Sequence, residues 1–301
     1  MSRPFLASIA LVAALVTAAQ TPPAAAQCAA CACGDPTLTS MGAEQPFEGR
    51  VRASLDVSYR SADFGDRATD EARIDELRAA PSLSWAPTRA WNLAATFPVV
   101  VHDVAYWNGA HDLVVAPGDL ELRTRVFVLR DRDLGPTHLL ALGLSLTLPT
   151  APRLSDAHDQ TLDERAQVGS STIVPGGGVS YAFFARPWHA YASLSVAVPA
   201  YESNGMRMGA SSNVSLVVQH HFGAAFAARL GVDARLEAAA TMNGAPERDS
   251  GGFVAFATAG ALVSPATDFV IDFRLSVPAI QALRGFHREG VQVGAGVVYD
   301  L

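Results

Sequence analysis

The feature that most constrains this chain is a long-range alternation of apolar residues with small or polar ones. From Leu140 to Leu148 every second residue is leucine, and alanine, glycine, serine and threonine lie between them. Successive side chains of a β-strand point to opposite faces, so such a stretch forms a strand with one apolar face. The stretches 51–59 and 269–277 repeat the pattern. A helix would scatter each apolar set around its circumference, so the pattern predicts strands.

Further stretches of this kind follow one another after residue 47 and predict about twelve strands. They are longer than the usual globular strand of roughly 5–6 residues. They suit tilted strands that cross a bilayer, where about 9–11 residues lie in the hydrocarbon. We place the strands near residues 48–61, 73–86, 90–103, 117–131, 137–149, 168–184, 187–200, 206–220, 224–239, 251–263, 267–279 and 289–301.

The connections between these strands alternate between tight turns and longer loops, which is typical of bacterial outer-membrane barrels. Tight turns are predicted at 87–89, 185–187, 221–223 and 264–266, and longer loops at 62–72, 104–116, 150–167, 240–250 and 280–288. Proline belongs at a strand's end, and we expect Pro98, Pro149, Pro199 and Pro278 at the outer rim. Aromatic residues at strand ends predict two interfacial girdles: Trp85, Trp91, Phe97, Tyr106, Trp107, Trp188 and Tyr201. The predicted fold is all-β, a transmembrane antiparallel up-and-down β-barrel over residues 48–301 in the outer membrane.

The first residues predict a secretory signal peptide. Arg3 precedes an apolar run from Phe5 to Ala19, and small residues follow at 24–26. The apolar run is shorter than the roughly 20 residues of a spanning helix. We predict a signal peptide over 1–26 and a cysteine-containing periplasmic leader over 27–47. Lipidation of Cys28 is disfavoured, because Gln27 stands where a small residue is usual.

Charged residues occupy the faces opposite the apolar ones. Each arginine placed towards lipid at mid-bilayer would cost roughly 2–4 kcal/mol, so we predict that these residues line the lumen. One interpretation is the selectivity lining of a narrow channel. The alternative is a structural interior filled by Arg–carboxylate pairs. The predicted lining residues are Arg52, Asp56, Glu121, Arg123, Arg125, Arg229, Asp233, Arg235, Glu237, Asp272 and Arg274.

Two minority patterns suggest other chemistry. Cys28, Cys31 and Cys33 are the chain's three cysteines and could bind copper or zinc as thiolates. In an oxidising periplasm they could instead form a disulfide. His189 and Ser193 are the closest candidates for the Ser–His pair of a lipid-modifying enzyme. No other cofactor and no catalytic residue is predicted.

Composition excludes one class of partner. The formal net charge is −7 and no cluster of basic residues occurs, whereas nucleic-acid binding needs a basic surface. The charged fraction of 17% is below the roughly 25% of soluble domains. We therefore expect outer-membrane lipid and a small-molecule solute as partners, and no nucleic acid.

Several segments resemble a known family. Residues 117–123, 146–150 and 292–296 are similar to segments of outer-membrane barrels related to the phenol-degradation meta-pathway protein. The resemblance implies a twelve-strand barrel linked to uptake of hydrophobic or aromatic compounds, and the cysteine-rich leader lies outside the family's pattern. Residues 296–301 resemble the C-terminal signal read by the outer-membrane assembly machinery, with Leu301 in place of an aromatic residue. The expected function is a channel for small solutes, and a metal-handling barrel is the alternative.

The predicted signal peptide gives the first testable outcome. We expect the mature protein to begin near Gln27 and to fractionate with the outer membrane, because residues 1–26 carry the signal-peptide pattern. N-terminal sequencing of the membrane fraction measures this directly. Retention of residues 1–26, or recovery of the protein from the cytosol, contradicts the prediction.

Overall fold

The computed structural model describes residues 48–66, 71–132, 136–154, 167–203, 206–223, 225–247, 250–266 and 268–301. The predicted signal peptide, the leader and all three cysteines therefore lie outside the described residues. Within these ranges, the chain forms no helix with the length and apolar character needed to cross a membrane.

The described residues form strands connected by turns and loops. In chain order the strands are β1 (Val51–Phe64), β2 (Ala72–Thr88), β3 (Trp91–Thr96), β4 (Val99–Tyr106), β5 (His111–Pro117), β6 (Leu120–Arg130), β7 (His138–Leu148), β8 (Val174–Ala185), β9 (Trp188–Ala197), β10 (Met206–Arg207), β11 (Ser211–His221), β12 (Phe226–Glu237), β13 (Thr241–Met242), β14 (Ala245–Pro246), β15 (Gly252–Ala266), β16 (Phe269–Leu283) and β17 (Arg288–Asp300).

Antiparallel pairing joins these strands into one closed barrel. The wall strands pair in chain order once the short strands β10, β13 and β14 are left aside, and β1 also pairs with β17, where Val57 lies opposite Ala295. The β3 and β4 segments both pair with β2 and together make one wall strand. On their other side β4 pairs with β5 and β3 pairs with β6, so β5 and β6 make the next wall strand. Counted this way, the wall has the twelve strands that the sequence predicts, and the predicted fold class is confirmed.

The wall is interrupted at two adjacent places. Pro98 separates β3 from β4, and Gly118 separates β5 from β6, where the Gly118 N–H donates to the Pro98 carbonyl at 2.8 Å. The prediction of a loop over 104–116 is wrong, because residues 111–117 form β5 and only residues 107–110 connect it to β4. Proline lacks the N–H that a ladder needs, but this break lies within a wall strand rather than at its end.

The other strand-end prolines give a mixed result. Pro149 and Pro199 follow β7 and β9, as predicted. Pro278 lies inside β16, at a register shift opposite Ala255 and Phe256. A bulge tolerates proline as well as a strand end does, so the residue type alone did not distinguish the two positions.

The two ends of the barrel differ. We call one the turn end, because short connections at 89–90 and 186–187 lie there. The other, the loop end, carries the longer connections after β7, β9 and β12, of which residues 149–154, 167–173, 198–203, 206–210, 238–247 and 250–251 are described. Strands β10, β13 and β14 form a small separate sheet that joins the last two of these loops. In outer-membrane barrels short turns face the periplasm.

The two faces of the wall separate by side-chain type. Leu144 is 67% exposed on the outside, whereas Ala141 on the same strand is 1% exposed and packs inside against Phe127 and Leu139. A continuous outer surface of leucine, valine and aromatic residues is what lipid requires. Trp85, Trp91 and Trp188 are exposed near the turn end.

Two of the aromatic residues assigned to the interfacial girdles lie elsewhere in the structure. Tyr106 is not on the outer surface, and it packs against the buried pair Ile74 and Val104. Phe97 is exposed, but it lies at the break between β3 and β4 rather than at the end of a wall strand. The prediction that these two residues belong to an interfacial girdle is therefore wrong.

The assigned faces predict unequal effects of two neighbouring substitutions. Leu144→Arg places a charge in hydrocarbon at roughly 2–4 kcal/mol near the midplane, and we expect most of the folded barrel to be lost. Ser145→Arg is the matched control, because Ser145 lies opposite Gly176 on the inner face. The heat-modified fraction on electrophoresis measures folding. Equal losses for both variants would contradict the assignment.

Candidate functional site

Ion pairs that skip a strand identify the inner face of the barrel. Arg229 on β12 donates to Asp272 on β16 with an Nη2–Oδ2 distance of 3.2 Å, although β15 lies between them. Arg274 on β16 donates to Asp56 on β1 at 3.0 Å across β17. Contacts of this kind can form only on the concave side of a closed wall. These four charged residues therefore point into the lumen.

The four residues form a central ion-pair cluster, defined as Asp56, Arg229, Asp272 and Arg274. Asp272 is fully buried and lies between the two guanidinium groups, with Arg274 Nη1 at 3.9 Å. Charges of alternating sign thus extend from β1 to β12. A carboxylate buried to this degree is tolerated because opposite charges surround it. This part of the lumen is filled by side chains.

Two glycines make room for the central ion-pair cluster. A Cβ atom on Gly260 would lie 2.5 Å from Arg229 Nε, and one on Gly294 would lie 2.6 Å from Arg274 Nη2. Separations this short are below van der Waals contact. The guanidinium groups can therefore lie against the wall only because the facing positions lack a side chain.

A second group of pairs lies on the neighbouring part of the wall, from β2 to β6. Arg78 on β2 reaches across β3 to pair with Glu121 on β6, and Arg123 donates to the other oxygen of Glu121 at 2.6 Å. Arg125 is buried on the same inner face. These contacts place the three predicted residues of β6 inside the barrel.

The remaining predicted residues also lie on the inner face. Arg52 donates to Asp300 at 2.8 Å, and Ser215 donates to Asp233 at 2.5 Å. Arg235 pairs with Glu289 across β15 and β16, and its Nε lies 3.7 Å from Glu237. Whether any of them lines a conducting path stays a prediction.

A cavity of about 620 Å³ occupies the lumen near the loop end, and we call it the loop-end cavity. Of the predicted lining residues, Arg235 and Glu237 border it. The charged and titratable residues of its wall are Arg60, Glu76, Arg78, His102, Arg235, Glu237, His287 and Glu289. Its apolar residues include Phe64, Ile74, Val100, Met206 and Met208.

Sequence reasoning missed several of these residues. Glu76 accepts hydrogen bonds from Arg60 at 2.8 Å and from His102 at 2.7 Å, and Glu289 pairs with Arg235. Charged residues fall on both faces of β2, at 73, 75, 76 and 78, and Glu289 directly follows Arg288 in β17. Alternation therefore did not separate an inner charged set in these strands. Their role depends on register, which brings distant strand positions together.

Within the connection between β7 and β8, residues 167–171 border the loop-end cavity. Buried Asp119, at the break between β5 and β6, anchors this connection. The Asp119 carboxylate accepts the Ala151 N–H at 3.0 Å and both the N–H and the hydroxyl of Ser170 at 2.6 Å. Charge-assisted bonds of this kind are stronger than neutral ones. One wall carboxylate thus holds both ends of the loop.

Two further buried side chains brace the same loop. Gln167 bonds with its amide to the backbone N–H and carbonyl of Leu154, at 2.9 and 3.1 Å. The Thr172 hydroxyl donates to the Tyr201 carbonyl at 3.1 Å, which ties this loop to the one after β9. The described ends of the loop, residues 151–154 and 167–172, are therefore held against the wall. Pro117 and Gly118, which precede Asp119, are the sequence feature that could have indicated this anchor.

The described residues give little support to the two alternative hypotheses, a metal-handling barrel with cysteine ligands and a lipid-modifying enzyme. Within the described ranges, no three histidine, cysteine or acidic residues group as metal ligands, and the leader cysteines are not described. His189 is hydrogen bonded to His221. Nothing in that contact supports a serine hydrolase pair with Ser193.

Comparison with known proteins identifies the fold. No protein-family model and no curated protein matches the sequence. The COG4313 outer membrane channel from Pseudomonas putida F1 superposes with a TM-score of 0.66 at 12% identity, over 85% of this chain and 97% of that one. The autotransporter NalP translocator domain from Neisseria meningitidis gives 0.52 at 10% identity, over 87% and 91% of the two chains. The TodX monoaromatic hydrocarbon channel, as its deltaS2S3 mutant, gives 0.50 at 12%, over 89% and 94%.

These neighbours are outer-membrane barrels, and at such low identity they establish the fold alone. The chain therefore has the fold of outer-membrane channel barrels. The narrower resemblance to the phenol-degradation family stays a prediction.

The Asp119 anchor predicts a loop that can be released. Asp119→Ala leaves the Ala151 and Ser170 N–H groups without their acceptor, a local loss of about 1–3 kcal/mol. We expect faster trypsin cleavage after Arg153 or Arg165 in the purified folded barrel, while heat-modifiability is retained. Asp119→Asn, which keeps an acceptor oxygen, should give an intermediate rate. An unchanged cleavage rate in Asp119→Ala would mean that this carboxylate does not hold the loop.

Proposed function

We propose that this protein is an outer-membrane channel for small solutes, with the loop-end cavity as the first site that a solute occupies. The observation that carries the proposal is that cavity, which lies inside a closed barrel and beneath an anchored loop. A wall of charged side chains facing a lumen suits passage of water and polar solutes. The shared fold with outer-membrane channels supports the proposal without defining the solute.

The lining of the loop-end cavity favours amphiphilic solutes. Its three arginines and three glutamates have balanced formal charges, so no strong field of one sign selects a simple ion. Phe64, Met206 and Met208 supply an apolar part of the wall. The volume of about 620 Å³ is within the range of small-molecule sites. Aromatic compounds that carry a polar group would contact both kinds of surface.

The substrate class also agrees with two weaker indications. The TodX neighbour is described as a monoaromatic hydrocarbon channel. The phenol-degradation resemblance implies uptake of hydrophobic or aromatic compounds. Both fit a cavity that is part apolar, although neither carries the proposal.

Passage beyond the loop-end cavity would be narrow. The central ion-pair cluster fills part of the lumen with buried side chains, and Arg78, Glu121 and Arg123 project into it from the neighbouring part of the wall. Only small solutes could move past such groups. This arrangement makes a selective channel a better proposal than a wide, general porin.

The surroundings of the channel follow from its outer surface. Outer-membrane lipid would cover the exposed apolar face, and the assembly machinery would act on the C-terminal strand β17. We assign no catalytic role to any residue.

The channel proposal predicts a shift in ion selectivity. Arg60 and Arg235 border the loop-end cavity, and replacing both with glutamine removes positive charge while Glu76, Glu237 and Glu289 remain. We expect reversal potentials in planar bilayers to shift towards cation selectivity, since screening inside a lumen is weaker than in bulk water. Heat-modifiability checks that the barrel still folds.

Arg73→Gln is the matched control, because Arg73 is exposed and pairs with Asp75 on the outer face. It should leave selectivity unchanged. If the folded wild type shows no conductance, the interior is closed and the channel proposal fails. A conducting double variant with unaltered selectivity would remove the loop-end cavity from the path.

A further inference from the structure

A buried histidine cluster lies on the inner face at the turn end, and it consists of His189, Gln219 and His221. His189 is the second residue of β9, directly after the turn at 186–187, and His221 ends β11. The three side chains are 3%, 2% and 8% exposed, respectively. The channel proposal uses none of them.

One nitrogen of this cluster, His221 Nε2, lies within hydrogen-bonding distance of two groups but can make only one good hydrogen bond. His221 Nε2 lies 3.0 Å from His189 Nδ1 and 2.8 Å from Gln219 Nε2. A rotation of the Gln219 amide by about 180° would place its oxygen at the nitrogen's position. An imidazole nitrogen carries either one proton or one in-plane lone pair. It can therefore make one good hydrogen bond, and either orientation of the Gln219 amide leaves the other contact unsatisfied.

Burial makes this conflict more severe. His221 Nδ1 is buried and has no hydrogen-bond partner among the described residues. Phe184 lies edge-on to His189, with ring centroids 5.1 Å apart, and belongs to the apolar group around Leu139. A polar group left unpaired in such surroundings is costly. Polar atoms of three side chains that converge at this spacing are suited to share a cation.

We propose that His189 Nδ1, His221 Nε2 and the Gln219 amide oxygen bind a divalent transition-metal ion, with Cu²⁺ bound most tightly. A cation between the two imidazoles takes a lone pair from each of them, and the amide oxygen supplies a third. All three contacts then become favourable at once. Water would occupy the remaining coordination positions. The site is separate from the loop-end cavity and does not depend on the channel function.

The spacing of the nitrogens favours copper or nickel over zinc. Metal–imidazole bonds are about 2.0–2.1 Å long, so nitrogens 3.0 Å apart subtend about 95° at the ion. That angle suits square-planar or tetragonal Cu²⁺ and Ni²⁺, whereas zinc prefers a wider tetrahedral angle. Among divalent first-row metals, nitrogen and oxygen sites bind Cu²⁺ most tightly.

The experiment uses folded full-length barrel in detergent in which Cys28, Cys31 and Cys33 are replaced by serine, so that thiolates cannot contribute. After metal removal, CuCl₂, NiCl₂ or ZnCl₂ is titrated alone by calorimetry. We expect one Cu²⁺ per chain, bound more tightly than Ni²⁺ or Zn²⁺. The electron paramagnetic resonance spectrum of bound Cu²⁺ should show coupling to two imidazole nitrogens.

Substitutions test the ligand set. His189→Ala or His221→Ala should each weaken Cu²⁺ binding by at least about tenfold. Gln219→Glu should strengthen it, because a carboxylate supplies negative charge at the same position, and a merely structural glutamine would not give this gain. His220→Ala is the matched control, since His220 lies on the opposite face of β11 against Trp188.

Several results would overturn the site. These are no saturable Cu²⁺ binding, full binding retained in the His189→Ala, His221→Ala double variant, or an equal loss in His220→Ala. Tighter binding of Zn²⁺ than of Cu²⁺ would overturn the assignment of the metal. If His221→Ala does not fold, as judged by heat-modifiability, His221→Gln tests the same ligand with a side chain of similar polarity.

Discussion

Closure of the backbone ladder between β1 and β17 is the constraint on which the rest of the molecule depends. Hydrocarbon offers no partner to an N–H or C=O group, so a sheet in a bilayer must have no free edge. The register that pairs Val57 with Ala295 meets this demand. Closure also divides each strand into an outward and an inward set. Apolar side chains cover most of the outside, and the charges that face inwards must find their partners in one limited interior.

That interior is filled unevenly along the axis. Nearer the turn end, Asp272 lies fully buried between Arg229 and Arg274. Towards the loop end, ion pairs such as Arg60–Glu76 spread apart around open space, and the loop held by Asp119 limits that space from above. Arginine–carboxylate pairs therefore fill the lumen at one height along the barrel axis and surround an open cavity at another.

The sequence predicts the wall well and the interior only in part. The alternation of residues around Leu144 or Phe273 predicts which face of the strand is apolar, because the two faces of a strand can be assigned from its own sequence. It also places Arg229 and Asp272 inside, but not against each other, because their contact depends on the stagger of strands that are 43 residues apart in the chain. The break at Pro98 is missed, since proline gives the same signal at a strand's end and within an interrupted one. The roles of Asp119 and of His221 arise only when separate segments meet, and the cysteine leader lies outside the described residues.

Gly260 and Gly294 carry a consequence for how wide the passage can be. Each faces an arginine so closely that even a methyl group would push the guanidinium away from the wall and towards the axis. The bore at this level is thus governed by residues that have neither charge nor side chain. Calibre and electrostatic field can therefore be adjusted independently in this barrel, the first through two small wall positions and the second through the charged residues that they accommodate.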